Sequence, residues 1–110
     1  MTDISQRQLQ VGEQIRRILA MHFFDELDTF GIKASGSSIM EVRMSADLKQ
    51  AIVFVYSAQE DVLVALNDLA SVFQKKIASQ ARLKFTPKLK FVADTALENA
   101  WHINTLLQKT

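Results

Sequence analysis

The chain has 110 residues, 48% apolar and 23% charged, with three glycines, one proline and no cysteine. That length suits one domain with its own core, and the lack of cysteine excludes a disulfide scaffold, a thiolate zinc site, an iron–sulfur cluster and a cysteine nucleophile. Net charge is +1; Met1–Gln10 is too polar for a signal peptide and no apolar run spans a bilayer, so the sequence predicts a cytoplasmic protein without membrane contact.

The first predicted element is an amphipathic helix from about Ser5 to Phe24, with Asp3 or Ser5 as its cap. Val11, Ile15, Ile18, Leu19, His22 and Phe23 recur at helical spacing and form one face. Asp25, Glu26 and Asp28 oppose the helix dipole at a C-terminus, which predicts an early stop and a solvated acidic loop. Gly31–Ser38 has loop composition. Ile39–Ser45 follows as a strand, with Met40, Val42 and Met44 alternating with Glu41 and Arg43. After the polar connection Ser45–Lys49, Ala51–Ser57 is β-branched and aromatic, so the two strands predict an antiparallel hairpin. Val42, Met44, Val53 and Val55 would share one face of it; Arg43, Phe54 and Tyr56 would share the other.

Asp61 to about Ala81 is helical in period. Val62, Leu66 and Leu69 make one stripe and Val72, Phe73 and Ile77 another, and the phase shift near Ala70-Ser71 predicts two helices joined by a kink. Leu83, Phe85, Leu89, Phe91 and Ala93 then alternate with Lys84, Thr86, Lys88 and Lys90, predicting a strand that is apolar inward and basic outward. Pro87 cannot donate to a ladder, so it belongs at an edge, a bulge or a break in pairing. Asp94 or Thr95 caps a terminal helix over about 95–109, with Leu97, Trp101, Leu106 and Leu107 as contacts. The expected architecture is α+β: one domain over 1–110, core about 5–94, with a three-stranded sheet and helices on one face.

The charges are segregated. Leu69–Ala93 holds six of the 13 bases and none of the 12 acids, which leaves seven bases against 12 acids elsewhere. A field of this kind fits a polyanion approaching one side of the molecule. The competing reading is a solvated face whose edge lysines block strand pairing.

The residues that carry most are Val42, Met44-Ser45, Asp47-Leu48, Ala51, Val53 and Val55 within Glu41–Val55. Three further stretches follow the same order along the chain: Val11–Ile15 with Ile18-Leu19-Ala20; Arg82–Phe91 with its Pro87-x-Leu89-x-Phe91; and Asp94 with Ile103 and Leu106-Leu107. Together, over about Arg7–Leu107, the sequence resembles the ribosome-binding factor A family. The resemblance implies a type II KH-like domain, ordered α-β-β-α-kink-α-β, in which a helix–kink–helix replaces the glycine-rich loop of ordinary KH domains. It implies a monomer without cofactor or catalytic activity that binds the small ribosomal subunit and its 16S rRNA, with ribosomal proteins as further contacts. The family assists late maturation and processing of that RNA, above all in the cold. At the kink this chain has Ala70-Ser71 where members usually carry a glycine.

Lys75, Lys76, Arg82, Lys84, Lys88 and Lys90 are the candidate RNA-binding residues, since neutralising phosphates needs long cationic side chains on one surface. Lys84, Lys88 and Lys90 are expected on one strand face, and Lys75 and Lys76 follow the kink where KH domains grip RNA. Ser71 and Arg7 complete the set. Phe54 and Tyr56 either stack on bases or pack beneath Trp101, and packing is favoured. His22 and His102 lack ligand partners at helical spacing, so no metal site is expected. Gly31–Gly36 lacks the ending of a phosphate loop, and no Ser/His/Asp arrangement is present. The alternative reading is a small α+β protein–protein interaction module whose surface is the acidic first half.

Overall fold

The computed structural model describes residues 4–34, 36–56 and 59–94. The helix predicted over about 95–109, with Trp101 and His102, lies outside them. The element order is α1 (Gln6–Thr29), β1 (Ser38–Met44), β2 (Gln50–Tyr56), α2 (Glu60–Asp68), α3 (Ala70–Gln80) and β3 (Lys88–Ala93).

Ser5 starts α1 through a capping box: its Oγ accepts from the Gln8 N–H at 3.1 Å, and Gln8 Oε1 accepts from the Ser5 N–H at 2.8 Å. Val11, Ile15, Ile18, Leu19, Phe23 and Leu27 bury one stripe. The helix therefore runs through the acidic cluster rather than stopping before it. Leu27 stands one turn beyond Phe23, and burying a leucine stabilises by about 1.5–3 kcal/mol. Carboxylates at a helix C-terminus cost about 0.3–1 kcal/mol each, and of the three here Glu26 is offset by the Lys76 ammonium at 3.4 Å. The true stop is Gly31, at φ +73°: its N–H donates to Asp28 O at 2.9 Å and the Ile32 N–H to Leu27 O at 2.8 Å. This is the paired closure that a left-handed residue permits.

The sheet has the order β1-β2-β3, with β1 antiparallel and β3 parallel to β2. A bulge between Ile39 and Glu41 makes Ile39 the buried residue and turns Met40 out to 49% exposure. This overturns the regular alternation expected of Met40, Val42 and Met44, because one unpaired residue shifts the pleat. In the hairpin turn, buried Ser45 donates from Oγ to Asp47 Oδ1 at 2.6 Å and accepts the Gln50 N–H at 3.0 Å. Asp47 Oδ1 also accepts the Lys49 N–H at 3.0 Å, and Leu48 takes the left-handed φ of 63° between them.

The three described helices bury their apolar stripes in one cluster with Val42, Met44, Ala51, Val53, Val55, Leu89 and Phe91. Gly12 lets α1 lie directly on β1, since an added Cβ would stand 2.5 Å from the Val42 carbonyl oxygen. The break between α2 and α3 falls at Leu69, one residue before the expected Ala70-Ser71. Leu69 closes α2 by donating to Ala65 O at 2.9 Å and opens α3 by accepting from Val72 and Phe73. Its φ of −93° and ψ of 9° are open to any L-residue, so this kink requires no glycine.

The third strand is shorter than its pattern. Pairing begins where the Lys88 N–H meets Lys49 O at 2.9 Å, immediately after the buried Pro87. Leu83–Thr86 is not strand, and Phe85 is exposed rather than inward. Before Gln50 the chain turns away into the hairpin, so β2 offers those residues no partner.

Candidate nucleic-acid interface

The sheet's two faces differ. Leu89 and Phe91 point into the helical layer, so period-two geometry sends Lys88 and Lys90 to the other face. There Lys88 lies opposite Gln50, and Lys90 opposite Ile52, which in turn faces Arg43. Ile52, Phe54 and Val92 form a small apolar cluster on this face. The Arg43 guanidinium sits 6.0 Å from the Phe54 ring centroid and pairs with Glu41 at 2.9 Å. Phe54 is buried while Tyr56, at the strand's end, is half exposed.

Lys84 does not share that face. It lies in the connection between α3 and β3, where its Nζ stands 5.5 Å from the centroid of Phe85. Lys49 of the hairpin turn approaches the same ring at 5.0 Å. The turn's carboxylate, Asp47, is already engaged by the Ser45 hydroxyl and the Lys49 N–H, and these bonds, the hydroxyl's first, hold its pKa below the ordinary value. Arg7 is exposed in the first turn of α1, which reaches the same end of the sheet through a 3.0 Å bond from Gln8 Nε2 to Met44 O.

The remaining candidates lie on α3. Phe73 and Ile77 face the core, which turns Ser71 and Lys75 to solvent on the far side of the helical layer. Lys76 points instead toward α1, where Glu26 meets its Nζ at 3.4 Å. A stretch free of acids in sequence is thus not free of them in space. Arg82 is exposed just beyond α3. The eight candidates therefore divide among three places: Arg7, Arg82 and Lys84 around the ends of the helices and the connection, Lys88 and Lys90 on the sheet face opposite the helices, and Ser71, Lys75 and Lys76 on α3. Among the described residues, no ion pair engages Lys49, Lys84, Lys88 or Lys90.

Two residues at this end were not singled out by the sequence as binding groups. Lys49 lies outside the basic run, and the pairing of β2 with β3 brings it there. Phe85 fitted an inward strand position, and only the missing strand partner exposes it. His22 is half-buried, with its Nε2 2.6 Å from Gln80 Nε2, a link between α1 and α3. No group of three metal-binding side chains occurs among the described residues.

Comparison with known proteins gives these features a family. A family model described as ribosome-binding factor A matches residues 7–107. The ribosome-binding factor A of Zymomonas mobilis is 42% identical over 112 residues, covering 93% of this chain and 76% of that protein. The crystal structure of ribosome-binding factor A from Thermus thermophilus superposes with a TM-score of 0.67 at 23% identity, over 81% of this chain and 98% of that one. A homology model of the Thermus thermophilus factor, fitted into a cryo-EM map of a 30S complex, superposes with a TM-score of 0.59 at 22% identity, over 74% and 88% of the two chains. The structural likenesses establish a shared α+β fold; with the family match over residues 7–107 and the identity to the Zymomonas protein, they make this chain a member of the ribosome-binding factor A family.

Proposed function

We propose that this protein is a non-catalytic assembly factor that binds the small ribosomal subunit through its 16S rRNA and assists late maturation and processing of that RNA in the cytoplasm, with its largest effect in the cold. The observation that carries the reading is family membership, one member of which has been fitted into the map of a 30S complex. On this reading the chain acts as one KH-like unit and a monomer. Its ligands are phosphates, met by Lys49, Lys84, Lys88 and Lys90, with Arg7, Ser71, Lys75 and Arg82 as flanking contacts. Lys76 contributes less, because the Glu26 carboxylate already offsets its charge.

Such a protein works by differential affinity: it favours the RNA conformation that meets its lysines in register, and shifts the equilibrium by that difference alone. Phosphate contacts carry no base sequence, so selectivity comes from RNA shape. The test is co-sedimentation with purified small subunits, large subunits and intact ribosomes at low and physiological salt. Salt-sensitive association with small subunits only is expected, and the triple charge reversal Lys49→Glu, Lys84→Glu, Lys88→Glu abolishes it. Association that ignores both salt and charge reversal would sink the phosphate reading.

A second reading has its own observation. Met21, Phe24 and Phe30 are exposed near Asp25 and Asp28 at the C-terminal end of α1. An apolar patch beside carboxylates fits a basic protein surface, and a ribosomal protein supplies one. Substituting Phe24 and Asp25 would then weaken binding to subunits while leaving binding to naked RNA intact.

A further inference from the structure

We infer that Phe85, flanked by Lys49 and Lys84, is a stacking site for one unpaired nucleotide of the bound RNA. The inference deepens the proposed function and rests on it: the ligand class is RNA, and the new element is a site for a flipped-out or single-stranded base.

The geometry is specific to this loop. Leu83 packs partly against the core and Pro87 is fully buried, so both ends of the short connection are anchored. Between them Phe85 is 49% exposed; Phe24 and Phe30 at the end of α1 are as exposed but stand among carboxylates, while Phe23, Phe54, Phe73 and Phe91 are buried. A phenylalanine held in water by two anchored neighbours adds little to the core. Two ammonium groups nevertheless come to its ring, at 5.0 and 5.5 Å, within the range in which a cation is drawn to an aromatic quadrupole. The two lysines come from different parts of the chain, one from the hairpin turn and one from the connection itself. Both are exposed, and among the described residues no ion pair involves either.

An aromatic face with cations beside it matches a nucleotide in both its parts. The base lies on the ring, and the lysine displaced from that face moves to the flanking phosphate. Bases inside a duplex are already stacked on their neighbours, so the ligand is a bulged, looped or single-stranded residue. Every base has a π-face, so the site tolerates any of the four. Asp47, near Lys49, does not block this, because Ser45 and the Lys49 N–H hold its carboxylate against the turn.

The experiment measures binding of the full chain to two labelled RNAs, a short single-stranded oligoadenylate and a duplex of equal length, at two ionic strengths. Phe85→Leu keeps the apolar bulk and removes the ring; it should weaken oligoadenylate binding about tenfold without changing the salt slope or the duplex affinity. Phe85→Tyr should restore the wild-type affinity. Lys84→Ala should weaken both RNAs and flatten the salt slope. Thermal melts confirm that each variant is folded. The inference is overturned if Phe85→Leu binds oligoadenylate as tightly as wild type, if it loses both RNAs equally, or if the wild type binds the duplex and not the oligoadenylate. Wild-type protein that sediments with small subunits but binds neither RNA would instead overturn the RNA reading itself.

Discussion

Leu83–Thr86 and Lys88–Phe91 carry the same alternating pattern of apolar and basic residues, and they meet opposite fates. Lys88–Ala93 becomes strand, with Leu89 and Phe91 in the core. Leu83–Thr86 remains irregular, with Phe85 in water beside two lysines. The pattern alone did not decide this; the neighbour did. β2 starts at Gln50 and offers Lys88–Ala93 a continuous parallel partner, while the residues before Pro87 face a chain that has already turned toward β1. One pattern thus gives a structural half and an exposed half, and the exposed half gains the groups that suit a nucleic acid.

The contrast breaks most sharply at the two phenylalanines. Phe91→Ala empties a site that is 2% exposed and removes a ring 5.6 Å from Phe73. It should cost about 3–5 kcal/mol in chemical denaturation. Phe85→Ala should change stability by no more than about 0.5 kcal/mol, as surface substitutions do. Similar losses from the two variants would refute the division. A smaller effect tests how the paired half is protected. Among the described residues β3 is an edge strand, and Asn67 of α2 closes it like a missing neighbour: its Nδ2 donates to Phe91 O at 3.0 Å, and its Oδ1 accepts the Phe91 N–H at 2.9 Å. Asn67→Ala leaves two backbone groups to water and should cost about 1–2 kcal/mol. It should also raise the tendency to associate through the opened edge, visible as concentration-dependent sedimentation.

Most of the architecture was legible because burial follows period. The core stripe of α1, the hairpin and its inward valines, and two helices meeting near Ala70 are all inscribed in the spacing of apolar residues. The misses were local competitions that a periodic pattern does not contain. Leu27 outweighed three acids and extended α1. A bulge at Met40 exchanged its place with Ile39. The kink settled at Leu69, where ordinary dihedrals make the absent glycine immaterial. The candidate site was less legible than the fold. Six bases in one stretch signalled a polyanion, but folding dispersed them and set Glu26 against Lys76. Lys49 joined only through strand pairing, which sequence distance conceals.

The smallest expected effect comes from Asp47, where one residue serves the fold and opposes the proposed ligand. Its carboxylate accepts from the Ser45 hydroxyl and the Lys49 N–H, and its pKa is lowered by those bonds. A carboxyl with a depressed folded-state pKa stabilises fully above its unfolded value of 3.8, and that contribution is lost as pH falls below it through the folded value. Acid unfolding of the wild type should therefore include this group only at the acidic extreme. Asp47→Asn keeps an oxygen acceptor for both donors but removes a negative charge close to Lys49. The stability of the variant should lose this part of its acid dependence, while its affinity for RNA rises about twofold at low salt and returns to wild type as screening grows. Weaker RNA binding by a folded Asp47→Asn protein would mean that Asp47 itself contacts the ligand or orders the turn for it, and would move the boundary of the binding region into the hairpin.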